Sequence, residues 1–166
     1  MTLNDPRTVA SVMTRKLVTV SPNDKIEHMD EGMHRLRVRH LPVVDGNGKL
    51  VGLVSHPDLL HAAASYLSER EEARNAVIDQ LPVSRIMQPD VLTVHPSDPL
   101  VEAGKLMWDA KIGCLPVCED DGTLVGIITE ADFIAVAVEL LGGTIRKSDV
   151  EEIARAPRLR RAPLAM

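Results

Sequence analysis

Two short stretches carry residue types that could do chemistry together: Gly52-Leu53-Val54-Ser55-His56-Pro57-Asp58 and Gly126-Ile127-Ile128-Thr129-Glu130-Ala131-Asp132. Each reads as the end of an apolar strand, a hydroxyl residue at the turn, then an acid opening a helix. Backbone N–H groups left unpaired at a helix N-terminus attract an anion such as phosphate. A carboxylate one turn into that helix can accept hydrogen bonds from both hydroxyls of a ribose. These parts suit a nucleotide. The same spacing is also close to a capping box, which needs no ligand. A cap has no use for glycine three residues before the hydroxyl, whereas close approach of another backbone or a ligand does.

The elements that position these stretches are duplicated. A shift of 74 residues aligns Met13 with Met87, Thr19 with Thr93, Pro22 with Pro96, Leu41-Pro42-Val43 with Leu115-Pro116-Val117, and Asp58 with Asp132. Over residues 12–60 it gives 14 identities in 49 positions without a gap, which establishes an internal repeat. In each copy a short strand (Leu17–Val20; Val91–Val94) runs into Pro22 or Pro96, which suits a first helical position. Asp24 or Asp98 then adds charge to the first turn. The following helix presents Ile26, Met29, Met33 and Leu36, or Leu100, Ala103, Met107 and Ala110, on one face.

A hairpin comes next: Leu41–Val44 with Leu50–Ser55, and Leu115–Cys118 with Leu124–Thr129. Pro42 and Pro116 cannot donate to a ladder and belong at a strand start or edge. The second strand of each hairpin is continuously apolar, as a strand covered on both faces is. The order within a repeat is strand, helix, strand, strand, helix, and units of ~50 residues are too small to stand alone. The helix from Leu59 can run as far as Leu81 through the charged stretch Glu69–Arg74, and Gly142-Gly143 stops its counterpart. The boundaries that follow are 1–80, 81–143 and a tail over 144–166. In the tail Ser148 and Glu151 suit a cap, and Arg155, Arg158, Arg160 and Arg161 stand without an acid.

Composition narrows the function classes. The 166 residues are 45% hydrophobic with a net charge of −5, which disfavours general nucleic-acid binding. No apolar run reaches the ~18 residues of a membrane span, and the N-terminus lacks a signal-peptide pattern, so a cytosolic protein is expected. Cys114 and Cys118 on one strand would lie ~13 Å apart, too far for a mutual disulfide. Two cysteines without nearby partners make no metal site. Trp108 sits one position off the core-facing Met107, where it serves either packing or self-association.

The pattern Leu-Pro-Val, then Gly-x-Leu-Val-Gly, then Ser/Thr-x-x-Asp, present twice, resembles the cystathionine-β-synthase-type (CBS) domain over residues 9–141. The resemblance implies an α/β (α+β) chain of two βαββα repeats packed about a pseudo-twofold axis. It implies up to two clefts of a kind that hold AMP, ADP, ATP or S-adenosylmethionine as regulatory ligands, with no cofactor required. It further implies a homodimer acting on a regulated protein. Carried over, Ser55 and Asp58 face one ligand, and Thr129 and Asp132 the other. The residues ahead of each Leu-Pro-Val, namely Val38, Arg39 and His40, and Ile112, Gly113 and Cys114, and the stretches ahead of each first strand, Met13–Lys16 and Met87–Asp90, hold base or phosphate, with clefts crossing between repeats. Arg39 and His40 would then join Thr129 and Asp132, which makes the Asp132 cleft the tighter phosphate site. Glu130 opposes that choice, since a carboxylate repels phosphate. Asp58, joined to Gly113 and Cys114, has Pro57 beside it, which removes an N–H. The basic cluster of Arg35, Arg37, Arg39 and His40 also complements a helix C-terminus without any ligand.

Three functions compete: a ligand-sensing regulatory module, a ligand-free dimerisation or interaction module, and an enzyme. The histidines form no His-x-x-x-His pair, and no Gly-x-Ser-x-Gly or Cys/His signature is present, so no catalytic or metal-binding residues are assigned.

Overall fold

The computed structural model describes residues 7–27, 29–64 and 80–145. The elements are α1 (Val9–Val12), α2 (Met29–Leu36), β1 (His40–Val44), β2 (Leu50–Ser55), α3 (His56–Ala64), a 3-10 turn at Val83–Arg85, α4 (Leu100–Ala110), β3 (Cys114–Cys118), β4 (Leu124–Thr129) and α5 (Glu130–Leu140). Strands β1 and β2 form one antiparallel hairpin, β3 and β4 the other. Equivalent registers, His40 opposite Ser55 and Cys114 opposite Thr129, confirm the duplication at the level of pairing.

Two expected strands are reduced to single contacts. Leu17–Val20 and Val91–Val94 touch the sheets only through Val20 beside Val43 and Val94 beside Val117, as parallel bridges. Proline explains the brevity. Val20 N–H donates to the Pro42 carbonyl and Val44 N–H to the Val20 carbonyl; the next bond of that parallel ladder, back toward Val18, would need the N–H that Pro42 lacks. Pro42 and Pro116 therefore lie within their strands, facing the thinly paired side. These first hairpin strands are the deeply buried ones, every residue of β3 included, while β2 and β4 alternate between buried and half-buried. The expectation of a fully covered second strand is corrected accordingly.

Pro22 and Pro96 open turns rather than helices. The carboxylates of Asp24 and Asp98 accept from the N–H of Ser21 (2.8 Å) and His95 (2.7 Å), and this local bond competes with helix. Helix α4 starts only after Pro99. Ile26, Met29, Met33, Leu100, Ala103 and Met107 are buried as the spacing requires, but Ala110 is exposed. Leu81 is not helical; residues 65–79 and the tail from 146, with the caps and charge runs assigned to them, lie outside the described residues. Gly142, in a left-handed conformation (φ 86°), ends α5 as expected.

Each hydrophobic core contains a segment from the other half of the chain. Val9 and Met13 pack with Leu115, Val117 and Ile128 of the second hairpin. Val83 is buried with Leu41, Val43 and Val54 of the first, and Ile86 and Met87 pack against that cluster. Backbone bonds repeat the exchange: Thr14 pairs with Ile127, and Gln88 with Leu53. The loops of the two hairpins meet on the pseudo-twofold axis. There Leu50 N–H donates to the Gly122 carbonyl and Leu124 N–H to the Gly48 carbonyl, both at 3.1 Å. Lys49 Nζ closes this junction on Asp121 Oδ2 at 2.5 Å.

Candidate functional site

Both hydroxyl–acid pairs form capping boxes. Asp58 Oδ2 accepts from Ser55 N–H (2.7 Å) and Ser55 Oγ (2.5 Å), and Asp132 Oδ2 from Thr129 N–H (2.8 Å) and Thr129 Oγ1 (3.0 Å). The alternating apolar strand delivers the hydroxyl residue to the turn, and the acid three residues on reaches back to it. Asp132 is buried, an unusual state for an acid. Asp58 Oδ1 accepts a further bond from Gln88 Nε2 at 3.1 Å, so the segment leading into the second repeat touches the first repeat's acid. Gln88 is a residue that sequence reasoning placed in the neighbourhood only as part of the segment ahead of the strand.

The glycines ahead of these boxes admit protein. A Cβ on Gly52 would fall 2.7 Å from Met87 Sδ and 3.1 Å from the Gln88 carbonyl; one on Gly126 would fall 2.5 Å from Met13 Sδ. Their role is packing of the exchanged segments.

The residues ahead of Leu-Pro-Val divide. Val38 and Ile112 are half-buried, packed against their own cores, and their N–H groups close the preceding helices on Met33 and Met107. The carbonyls of Arg39 and Gly113 accept from His56 and Glu130 N–H, tying each strand entry to a helix start. His40 crosses to the second repeat: a Cβ on Gly113 would lie 3.5 Å from His40 Cε1 and 3.6 Å from Glu130 Oε2. His40 of the first repeat and Glu130 at the start of α5 thus both lie near Gly113. His56, at the place equivalent to Glu130, is held by Asp30 at 2.8 Å. Arg39 is exposed, and its charge acts on His40.

Burial, and next the charge of Arg39, hold the His40 imidazole below its ordinary 6.5, while Glu130 and Asp58 pull the other way. The unfolded chain therefore binds this proton more readily. The stability it contributes is complete above pH 6.5 and is lost as pH falls through the lowered folded value. Denaturation free energies should decline from pH 7 to 5, and His40→Gln should flatten that segment; an unchanged slope in the variant would discard the assignment. Asp45 and Asp121, lowered from 3.8 by hydrogen bonds, lose their contributions only in stronger acid.

Cys114 is buried, and burial followed by Glu130 pushes its thiol up to about 12; burial also raises Cys118. A protonated, covered thiol is a poor nucleophile. Neither cysteine should react with iodoacetamide at pH 8 until the chain is denatured, as counted by mass spectrometry. Cys114 fills space at the site; it does not do chemistry there. Among the described residues no group of three or more His, Cys, Asp or Glu is arranged to hold a metal ion, and no helix is long and apolar enough to cross a membrane.

A cleft of about 430 Å³ opens between the repeats. Leu50, Val51 and Gly52 of β2 form one wall, the run from Pro89 to Asp98 a second, and Cys118 to Gly122 at the end of β3 a third. It contains none of the ten residues carried over from the resemblance. Three separated segments build it, which no local pattern announces; only Pro89 falls in a stretch the resemblance pointed to.

Comparisons with known proteins agree with this architecture. The CBS domain profile matches residues 9–65 and 83–139. A CBS domain-containing protein of Dictyostelium discoideum is 31% identical over 134 residues, 80% of this chain and 92% of that one. A homoserine O-acetyltransferase of Methanococcoides burtonii is 37% identical over 124 residues, but the match spans 75% of this chain and only 23% of the enzyme. Among solved structures, AcuB of Vibrio cholerae superposes with TM-score 0.71 at 37% identity, over 82% of this chain and 93% of that one. CBSX2 in complex with AMP gives 0.68 at 32%, over 81% and 98%. The CBS domain pair of MJ0100, in complex with 5′-methylthioadenosine and S-adenosyl-L-methionine, gives 0.66 at 25%, over 83% and 98%. With both repeats matched and the exchanged cores in place, this chain belongs to the CBS domain family as a tandem pair.

Proposed function

We propose that the chain is a regulatory, non-catalytic module that senses an adenosine-type ligand, AMP, ADP, ATP or S-adenosylmethionine, in its inter-repeat clefts. The observation that carries this reading is the AMP-bound CBS pair, which shares its fold and 32% of its aligned residues. In this reading Asp132 and Asp58 receive the ribose hydroxyls, and Thr129, Ser55, Arg39 and His40 face phosphate. Val38, Ile112, Gly113 and Cys114 border the base. The module acts in the cytoplasm as a homodimer on a separate regulated protein.

A ligand at about 100 times its dissociation constant adds about 2.7 kcal/mol of stability. For a chain of this size the melting temperature should rise by roughly 5–10 °C. The rise should shrink in Asp132→Asn, each variant being compared with its own ligand-free melting. Gln88→Ala, which releases Asp58 Oδ1, should enlarge it. No rise with any of the four ligands would retire the sensor reading. A ligand-free interaction module is the second reading, favoured by carboxylates already satisfied within the protein and by the exposure of Trp108 (74%) and Leu141 (87%).

A further inference from the structure

The acid of the first repeat is engaged by a side chain that enters from the second. Gln88 is anchored on β2 by a two-way backbone bridge: its N–H donates to the Leu53 carbonyl (2.8 Å), and Leu53 N–H donates to its carbonyl (3.0 Å). The residues leading up to it are fixed as well, Val83 within the first core and Met87 packed against it. From that bridge the Gln88 carboxamide donates to Asp58 Oδ1 at 3.1 Å. The opposite oxygen, Oδ2, already takes Ser55 N–H and Ser55 Oγ. A carboxylate offers about four acceptor positions, two on each oxygen. With these donors in place Asp58 keeps room for about one more, whereas a ribose diol brings two hydroxyls.

The second repeat differs at the equivalent place. The 74-residue shift sets Thr14 against Gln88, and Thr14 makes the same backbone bridge, to Ile127 of β4. Threonine has no carboxamide to present to Asp132. Gln88 is exposed, so its side chain can swing into water while the backbone bridge stays closed. An amide on a carboxylate makes a charge-assisted bond, yet one open to water contributes little net, which suits a contact that a ligand displaces.

We propose that Gln88 is a latch on the Asp58 cleft: its carboxamide takes the place of a ribose hydroxyl, and a nucleoside ligand enters only by displacing it. The proposal rests on the adenosine-sensing reading and adds an order of filling, the Asp132 cleft first and the Asp58 cleft at higher ligand concentration. It also gives occupancy a structural consequence. Filling the Asp58 cleft exchanges a side-chain bond between the repeats for a bond to ligand, so loading the first repeat loosens the entry to the second.

Isothermal titration of the full chain with AMP, ADP, ATP and S-adenosylmethionine tests it, in an Asp132→Asn background where the Asp58 cleft is the one left to report. Adding Gln88→Ala should tighten the ligand that binds by about threefold to tenfold, the net effect of one hydrogen bond. Adding Asp58→Ala as well should abolish that gain. In the ¹⁵N-labelled wild type, the Gln88 side-chain amide resonances should move with filling of the weaker site and not with the tighter one. Unchanged affinity in Gln88→Ala would overturn the latch, and weaker affinity would make Gln88 a ligand contact instead; both leave the sensor reading intact. Failure of all four ligands to bind the wild type and the variants would remove both.

Discussion

Met13→Ala should destabilise the protein by about 2–5 kcal/mol, the usual range for truncating a buried methionine, with a melting temperature lower by roughly 5–15 °C. The damage should appear in the second repeat, although Met13 precedes the first. Its side chain is buried against Leu115, Val117 and Ile128, and the next residue, Thr14, both donates to and accepts from Ile127. Removing the thioether leaves a cavity under β4 that the rest of that core cannot close. In native-state hydrogen exchange the amides of β4 should lose more protection than those of β2. Met87→Ala should reverse the pattern, since Met87 packs on the first core. Loss confined to β1 and β2 in Met13→Ala would show that the exchange of segments does not hold in solution.

This exchange is also where sequence reading stopped. Duplication, hairpins, capping boxes and the apolar faces of α2 and α4 are written in local spacing, so they were legible. Pro42 was legible as a residue that cannot donate, but not its place within a buried strand, because that depends on the single bridge made by Val20. The path of Val9–Met13 into the second core leaves no periodic trace. Contacts so distant in sequence are chosen by which surface is left uncovered after the hairpins form. Boundaries drawn from the repeat alone, at 80 and 81, therefore separate segments from the cores they fill.

The site divides the same way. Asp58 and Asp132 were found because a hydroxyl three residues before an acid is a local signal. Gln88 was not singled out, because its bond to Asp58 spans the connector between repeats. Glu130 was recognised as an obstacle to phosphate, and the structure gives it a partner region: it converges with His40 on Gly113. The cleft between the repeats escaped notice, since in sequence Asp98 reads as a charge in a helix's first turn and Glu119 and Asp120 as a hairpin connection.

Gly126→Val should cost about 3 kcal/mol or more, at the upper end of what overpacking produces, and would test the role assigned to that glycine. A Cβ there lies 2.5 Å from Met13 Sδ and 3.1 Å from Met13 Cγ, and valine adds two further methyl groups to the same space. The conformation of Gly126 itself is not at issue: it is not among the glycines with positive φ, so an L-residue fits its backbone and only the neighbour resists. Met13, buried and tied on both sides by the Val9 and Ile127 backbone bonds, has little room to withdraw. If this contact is the whole reason for glycine, shrinking the partner should relieve the strain. The pair Gly126→Ala with Met13→Ala should be less destabilised than the sum of the two single changes, by about 1–2 kcal/mol of coupling. Additive losses would instead mean that Gly126 is required for something other than Met13, and the approach of a ligand to β4 would return as its explanation.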